Sequence, residues 1–216
     1  MSELADITQK LVAALLRLDT ERVRRLLAEL PAREGGLVPL EAVVTPALER
    51  IGRDWEEGRA SLAQIYMAGR ICERVVEGML PAHRPNPGSR PRLAIGVLED
   101  HHALGKRMVK SALHCAGYHL LDYGHGLSAA ELVERALGDR IDVLLVSCLM
   151  LASAIRARQV VQGLNQAGSR TVVVVGGAPF RLEPGLWQEV GAQAMGTNSA
   201  EAVTIVQTLA KERGWQ

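Results

Sequence analysis

The fold of this chain is decided by the stretch Val97-Leu98-Glu99-Asp100-His101-His102-Ala103-Leu104-Gly105-Lys106. An apolar run beginning at Leu93 leads into it, and apolar residues at helical spacing follow it. This pattern predicts a strand, a polar loop and then a helix. In open α/β folds such a loop lies at the carboxyl edge of a parallel sheet, where ligands bind. The polar cluster from Glu99 to His102 is therefore a candidate site.

The rest of the second half alternates apolar runs with helical patterns. The runs predict further strands at residues 118–122, 143–146, 171–175 and 192–195, and the patterns predict helices at 129–137, 154–167, just after Pro184 and at 199–213. Strands with nearly continuous apolar residues are typical of a parallel sheet buried on both faces. We therefore predict an α/β fold with a doubly wound, Rossmann-like sheet of five parallel strands. We expect the flavodoxin-like strand order 2-1-3-4-5.

The first half is helical by the spacing of its apolar residues. Residues 4–30 predict two helices separated at Asp19, a third begins at Pro39, and Ser61 caps a fourth. Four helices with short connections form a small bundle. Residues 82–91 are rich in proline, which stiffens and extends a chain. We therefore expect a four-helix bundle domain at 1–81, a linker at 82–91 and the sheet domain at 92–216.

The composition argues against several classes of partner. The 216 residues carry 25 Lys and Arg against 24 Asp and Glu, a net charge of +1, so neither nucleic acid nor an anionic membrane is expected to bind. The acidic start and the lack of a long apolar run argue against a signal peptide and a membrane anchor. The three cysteines lack paired or metal-type spacing, so we expect reduced core thiols in a cytoplasmic protein.

The spacing of Asp100 and His102 favours metal ligation. The carboxylate precedes the imidazole by two residues, close enough to hydrogen-bond one ring nitrogen and leave the other free for a metal. Such a bond fixes the tautomer and raises the basicity of the ligand. Gly105 gives the chain room to turn, or gives a bulky group room to approach.

Three motifs resemble the cobalamin-binding signature of the methionine synthase and methyl-corrinoid protein families. The matching residues are Asp100, His102 and Gly105 of Asp-x-His-x-x-Gly, Ser147 and Leu149 of Ser-x-Leu, and the glycine pair Gly176 and Gly177. The motifs occur in the family's order, each near a predicted strand end. The resemblance extends to the helical half, where residues 51–59 and then 63–68 match a helix, an acidic-Glu-Gly-basic turn and a second helix.

The resemblance implies a cobalamin cofactor, as methylcobalamin or hydroxocobalamin. His102 would replace the cofactor's own dimethylbenzimidazole as the lower ligand of the cobalt, and Asp100 would couple this ligation to protonation of the histidine. The displaced nucleotide tail would enter the sheet edge beside Gly105, Gly176 and Gly177, which lack the β-carbons that would block it.

The resemblance also implies roles for residues around the cofactor. Ser147 would hydrogen-bond in or beside the ligand network, and Leu149 would form an apolar wall. The helical domain would cover the upper face and keep out water and oxygen, with Trp55 and Met67 as candidate contacts. Both residues could instead belong to the bundle core. We favour the core for Met67, and for Trp55 the two interpretations are equally supported.

The implied function is that of a corrinoid protein, base-off and His-on, that carries a methyl group on cobalt. Its partners would be a substrate-specific methyltransferase and a second methyltransferase, with a reductive activase as a further candidate. No separate catalytic barrel fits in 216 residues, so the chain would be a carrier subunit that is not catalytic alone. The alternative is a cobalamin-dependent sensor of light or ligand that acts through a partner. A fold that binds no corrinoid is the third interpretation.

Several residues depart from the family pattern or complicate it. Glu99 stands where the family has glycine, and His101 offers a second imidazole beside His102. We assign the ligand to His102 because it has the aspartate two residues before it and the glycine three residues after it. His125, between Gly124 and Gly126, is expected in an exposed turn after the second strand.

Overall fold

A computed structural model of the chain describes residues 3–30, 38–79 and 91–215. The chain divides into two compact units, Met1–Ala82 and His83–Gln216. The predicted linker at 82–91 lies outside the described residues except for Pro91. In the described part of the chain, no helix combines the length and the apolar character that crossing a membrane requires.

The first unit consists, in its described part, of four helices. They are α1 (Glu3–Leu16), α2 (Thr20–Ala28), α3 (Val38–Glu56) and α4 (Leu62–Met79). Helix α1 packs against the other three, and the buried residues include Leu11, Leu15, Leu26, Val43, Ile51 and Val76. The carboxylate of Asp19 accepts a hydrogen bond from the Arg22 amide at 2.9 Å, and the Ser61 hydroxyl accepts one from the Gln64 amide at 3.2 Å. Both predicted helix starts are confirmed by these caps.

The prediction that Met67 belongs to the bundle core is wrong. Its side chain is 38% exposed, and Trp55 is 46% exposed. The buried stripe of α4 runs through Ala68, Cys72 and Val76. Met67 precedes that stripe by one residue, which rotates its side chain about 100° around the helix axis.

The second unit is a sheet of five parallel strands, counted in the described residues. The strands are β1 (Leu93–Leu98), β2 (Leu120–Leu127), β3 (Val143–Ser147), β4 (Val172–Gly176) and β5 (Ala194–Gly196). Their order is β2-β1-β3-β4-β5, and every neighbouring pair is parallel. The predicted doubly wound sheet and its flavodoxin-like order are confirmed.

Helices cover both faces of this sheet. They are α5 (Leu104–Cys115), α6 (Ala129–Gly138), α7 (Leu151–Gln166), α8 (Ala178–Leu182), α9 (Leu186–Glu189) and α10 (Ser199–Glu212). Alternate residues of β1 enter two separate cores: Ala94 and Leu98 pack with α6 and α7, while Leu93 and Ile95 pack with α5 and α10. This burial on both faces explains why the strands read as continuous apolar runs.

Strand β2 departs most from the sequence prediction. It extends through Gly124, His125 and Gly126, which we expected in a loop. The two glycines have φ of +94° and +70°, and the pairing with β1 shifts register on both sides of Gly96. These irregularities interrupt the alternation of apolar and polar residues that marks an edge strand, so the predicted strand ended too early, at residue 122. The short helix predicted after Pro184 is confirmed as α9. Smaller differences are that α7 begins at Leu151 and that α8 was not predicted.

Candidate functional site

The strand ends bring the predicted motif residues to one edge of the sheet. In the register of the sheet, Val97 near the end of β1 pairs with Ser147 at the end of β3, which pairs with Gly176 at the end of β4. The three motifs follow these adjacent strand ends. They therefore lie together at the carboxyl edge, where doubly wound sheets bind ligands.

Asp100 ties two of these loops together. Its carboxylate is 6% exposed, and its two oxygens accept hydrogen bonds from the backbone amides of His102 at 2.9 Å and Leu149 at 3.0 Å. The backbone carbonyl of Asp100 also accepts from the Gly126 amide at 2.7 Å. The residue therefore fixes the β1 loop to β2 and to the loop after β3.

His102 presents its ring at this edge, with a side chain that is 52% exposed. Nδ1 lies 3.6 Å from Oδ1 of Asp100, which is beyond hydrogen-bond range. The predicted bond between the ring and the carboxylate is therefore absent from the structure, because that oxygen accepts from the His102 amide instead. Since Nδ1 is the ring nitrogen that faces the carboxylate, Nε2 is the candidate nitrogen for an external ligand.

The paired glycines are required by the packing of the protein itself. Gly177 has φ of +122°, and a β-carbon there would lie 1.7 Å from the carbonyl oxygen of Cys148. A β-carbon on Gly176 would lie 3.0 Å from the carbonyl oxygen of Gly196. Close backbone approach therefore accounts for both glycines, and their contact with a cofactor tail stays a prediction.

Gly105 and Ser147 line more open space. A β-carbon on Gly105 would meet no atom nearer than Oγ of Ser147, at 3.9 Å. Within the described residues, no hydrogen bond reaches that hydroxyl. Leu149, two residues further along the chain, is 43% exposed. A half-buried hydroxyl without a partner, next to a glycine and an apolar side chain, suits a ligand with both polar and apolar surface.

Glu99 adopts φ of +52°, the left-handed conformation that glycine reaches at no steric cost. This explains why the resembling family has glycine at the position. Its carboxylate forms an ion pair with the guanidinium of Arg156 on α7. The partners are 57 residues apart in sequence, so no local pattern could have indicated the contact.

Two further contacts at this edge were not predicted. Nδ1 of His101 lies 3.0 Å from Nδ1 of His125, so His125 is a partner of the β1 loop as well as an exposed residue. On β2, the carboxylate of Asp122 accepts from Nζ of Lys106 at 2.5 Å and of Lys110 at 2.9 Å. Burial raises the pKa of Asp122, but the hydrogen bonds from the two lysines outweigh it and hold the pKa below its usual value.

The thiol of Cys148, at the same edge, is buried. Burial, with smaller contributions from Asp100 and Glu99, raises the pKa of Cys148 far above its usual value. Burial likewise raises the pKa of Cys72 to about 12. Both are core thiols as predicted, whereas Cys115 is exposed, which corrects the prediction for that residue.

The side chains at this edge suit a metal that already has most of its ligands when it binds. Among the described residues, no three His, Cys, Asp or Glu side chains converge to hold a bare ion. The site instead offers the exposed imidazole of His102, which lies near the buried carboxylate of Asp100, with open space at Gly105. A corrin supplies four equatorial nitrogens to its cobalt, so one axial imidazole is what such a group needs from the protein.

Known proteins are similar to this chain in sequence and in structure. Residues 93–206 match the family described as the B12 binding domain, and residues 7–77 match a second family of the same description. The trimethylamine corrinoid protein 2 of Methanosarcina acetivorans is 27% identical over 215 residues, which cover 95% of this chain and 97% of the relative.

Two solved structures from Methanosarcina barkeri are similar in fold. The monomethylamine corrinoid protein is 25% identical with a TM-score of 0.78, covering 95% of this chain and 99% of that one. A chain of the methanol:cobalamin methyltransferase complex is 19% identical with a TM-score of 0.54, covering 95% of this chain and 80% of that one. The first family match alone spans more than half of the sequence. The chain therefore belongs to the B12-binding domain family, and its cofactor is cobalamin.

Proposed function

We propose that the chain is a corrinoid protein that carries a methyl group on the cobalt of cobalamin, with His102 as the lower axial ligand. The observation that carries the proposal is the exposed ring of His102 at the carboxyl edge of the sheet, beside the buried carboxylate of Asp100. The cofactor supplies the cobalt that holds the methyl group, and the protein supplies binding and orientation.

The geometry supports a division of roles within the β1 loop. The carboxylate of Asp100 accepts a hydrogen bond from the backbone amide of His102, which fixes the backbone from which the imidazole extends. Nδ1 faces the same carboxylate at 3.6 Å, so Nε2 would be the ring nitrogen that holds the cobalt.

Other residues are proposed to hold the rest of the cofactor. The nucleotide tail would pass beside Gly105, with Oγ of Ser147 as a hydrogen-bonding partner and Leu149 as an apolar wall. Gly176 and Gly177 would shape the end of this slot through their backbone. In the first unit, the exposed side chains of Trp55 and Met67 are the candidate contacts to the upper face of the corrin.

The partners are proposed from the names of the similar proteins. The relatives are named corrinoid proteins for trimethylamine and monomethylamine, and the third similar chain comes from a methanol:cobalamin methyltransferase complex. We propose that this chain also receives its methyl group from a substrate-specific methyltransferase and delivers it through a second one, with a reductive activase restoring the reduced cobalt. The substrate would be selected by the first of these partners.

The test of the proposal is reconstitution with hydroxocobalamin followed by absorption spectroscopy. Wild-type protein should retain the cofactor through gel filtration and show a base-off, His-on spectrum. His102→Ala should lose that spectrum, while His101→Ala is the matched control and should keep it. Identical spectra and affinities in wild type and His102→Ala would contradict the assignment of the ligand.

A second measurement distinguishes a carrier from the alternative of a light sensor. The protein loaded with adenosylcobalamin is illuminated, and its mass in solution is measured before and after. A carrier should keep the same assembly state. A change of assembly state driven by light would contradict the proposed function while leaving cobalamin binding intact.

A further inference from the structure

Two histidines beside the proposed ligand form a pair across neighbouring strands. Nδ1 of His101, in the β1 loop, lies 3.0 Å from Nδ1 of His125 on β2. The ring centroids are 5.1 Å apart and the ring planes are at 82°, an edge-to-face arrangement. This distance is that of a hydrogen bond, so one Nδ1 carries the proton and the other accepts it.

The backbone of β2 makes room for this pair. A β-carbon on Gly126 would lie 2.7 Å from Cε1 and 3.2 Å from Nδ1 of His101, so the imidazole lies directly against the glycine. The Gly126 amide donates to the carbonyl of Asp100 at 2.7 Å, and the Glu99 amide donates to the carbonyl of Leu127 at 2.9 Å. These two backbone bonds hold the residues just before His101 against β2, which places its ring beside Gly126.

The neighbouring imidazole has no such seat. His102 is half exposed, and its Nδ1 makes no hydrogen bond to the carboxylate of Asp100. Both histidines are exposed, but they differ in their hydrogen bonds: His101 is bonded to His125 on β2, whereas the ring of His102 makes no bond to Asp100. A metal that binds one axial imidazole would otherwise have two candidates within two residues.

We infer that His125 is a positioning residue, which holds His101 against β2 and so leaves His102 as the imidazole that binds cobalt. This inference rests on the proposed function of His102. Gly126 contributes by leaving the space that the ring of His101 occupies. An exposed hydrogen bond changes the populations of two side-chain positions by roughly five-fold, enough to bias the choice between competing ligands.

The test is electron paramagnetic resonance of the cobalt(II) form in protein labelled with ¹⁵N-histidine. An axial ¹⁵N nucleus splits each cobalt line into two, whereas the ¹⁴N of the cofactor's own base splits it into three, so the spectrum identifies the ligand. Wild type should show the histidine pattern, and His102→Ala should lose it. The double variant His102→Ala/His125→Ala should regain a measurable fraction of the histidine pattern, because His101 is released.

A conservative variant provides the control. In His102→Ala/His125→Asn the asparagine amide replaces Nδ1 of the imidazole and can still bond to His101, so the histidine pattern should stay absent. The inference is overturned if the double alanine variant shows no histidine pattern, or if His102→Ala shows one by itself. Loss of the histidine pattern in the wild type would instead refute the proposed function.

A measurement without the cofactor tests the pairing independently. Nitrogen chemical shifts of the imidazoles are recorded by NMR in the protein without cobalamin. His125→Ala should shift the ring nitrogens of His101 and leave those of His102 unchanged, and His125→Asn should shift them less. Unchanged His101 signals in His125→Ala would overturn the inference whatever the cofactor does.

Discussion

The loop after β1 and the loops after β3 and β4 lie at the same sheet edge but are held in different ways. The β1 loop places a half-exposed imidazole, His102, over a buried carboxylate. After β3 and β4, backbone packs on backbone: the carbonyl of Cys148 occupies the place that a β-carbon on Gly177 would take. Motif residues at one site therefore divide into those that can contact a ligand and those that allow the edge to form.

The largest effect should come from Gly177→Ala. The new β-carbon would lie 1.7 Å from a carbonyl oxygen at a residue with φ of +122°, so the backbone must move. We expect the free energy of unfolding, measured in urea, to fall by about 4 kcal/mol or more.

Gly105→Ala is the matched control for that substitution. Its β-carbon would meet nothing nearer than 3.9 Å, so stability should change by less than about 1 kcal/mol. Cobalamin affinity should nevertheless fall by about tenfold, or about 1.4 kcal/mol, since the methyl group enters the proposed slot. Equal loss of stability in both variants would remove the distinction between the two regions.

Asp100→Ala should have the next largest effect on stability. It leaves the amides of His102 and Leu149 without their acceptor, which should cost about 3 kcal/mol. Asp142→Ala is the control at the opposite edge, where the carboxylate accepts the Arg92 amide, and should cost about 1 kcal/mol without affecting cobalamin binding. A fully stable Asp100→Ala protein would show that the carboxylate does not hold the two loops together.

Asp122→Asn tests the charged contact on β2, outside the motifs. The substitution removes the negative charge beside Lys106, whose side chain is 6% exposed. The free energy of unfolding near neutral pH should fall by about 2 kcal/mol, since Asp122 itself is 26% exposed and its charge is partly screened. The pKa of Asp122 in the folded protein lies below its usual 3.8, so this stabilisation is present above that value and is lost as pH falls through the folded pKa. The difference in unfolding free energy between wild type and variant should therefore shrink below about pH 4. A constant difference across that range would contradict the ion pairing.

The smallest effect is expected at Glu99, where two opposing contributions nearly cancel. Glu99→Gly relieves the positive φ but loses the ion pair with Arg156, so stability should stay within about 0.5 kcal/mol of wild type. Glu99→Ala keeps the unfavourable φ and loses the pair, so it should be less stable by about 1 kcal/mol. Thermal unfolding of the two variants side by side measures the difference, and equal values would show that φ contributes nothing.

The fold was predictable because burial on both faces leaves a direct trace in the sequence. Each central strand reads as a continuous apolar run, and the caps at Asp19, Ser61 and Ser128 mark helix starts. The prediction ended edge strand β2 too early because glycines such as Gly124, which has a positive φ, are typical of loops. Met67 was misplaced because its helix has apolar residues on more than one face.

The candidate site was predictable in its residues but not in its contacts. The motifs identified Asp100 and His102, yet the carboxylate accepts two backbone amides where a bond to the ring was expected. That choice depends on the loop after β3, which approaches only in the folded chain. The pairs of Glu99 with Arg156 and of His101 with His125 likewise join residues far apart in sequence.

A crystal structure of the chain grown with hydroxocobalamin would test His102 as the cobalt ligand most directly. Nε2 of His102 should coordinate the cobalt, and the nucleotide tail should lie beside Gly105 and Ser147. A cobalt held by its own dimethylbenzimidazole, or by any other side chain, would refute the assignment of His102.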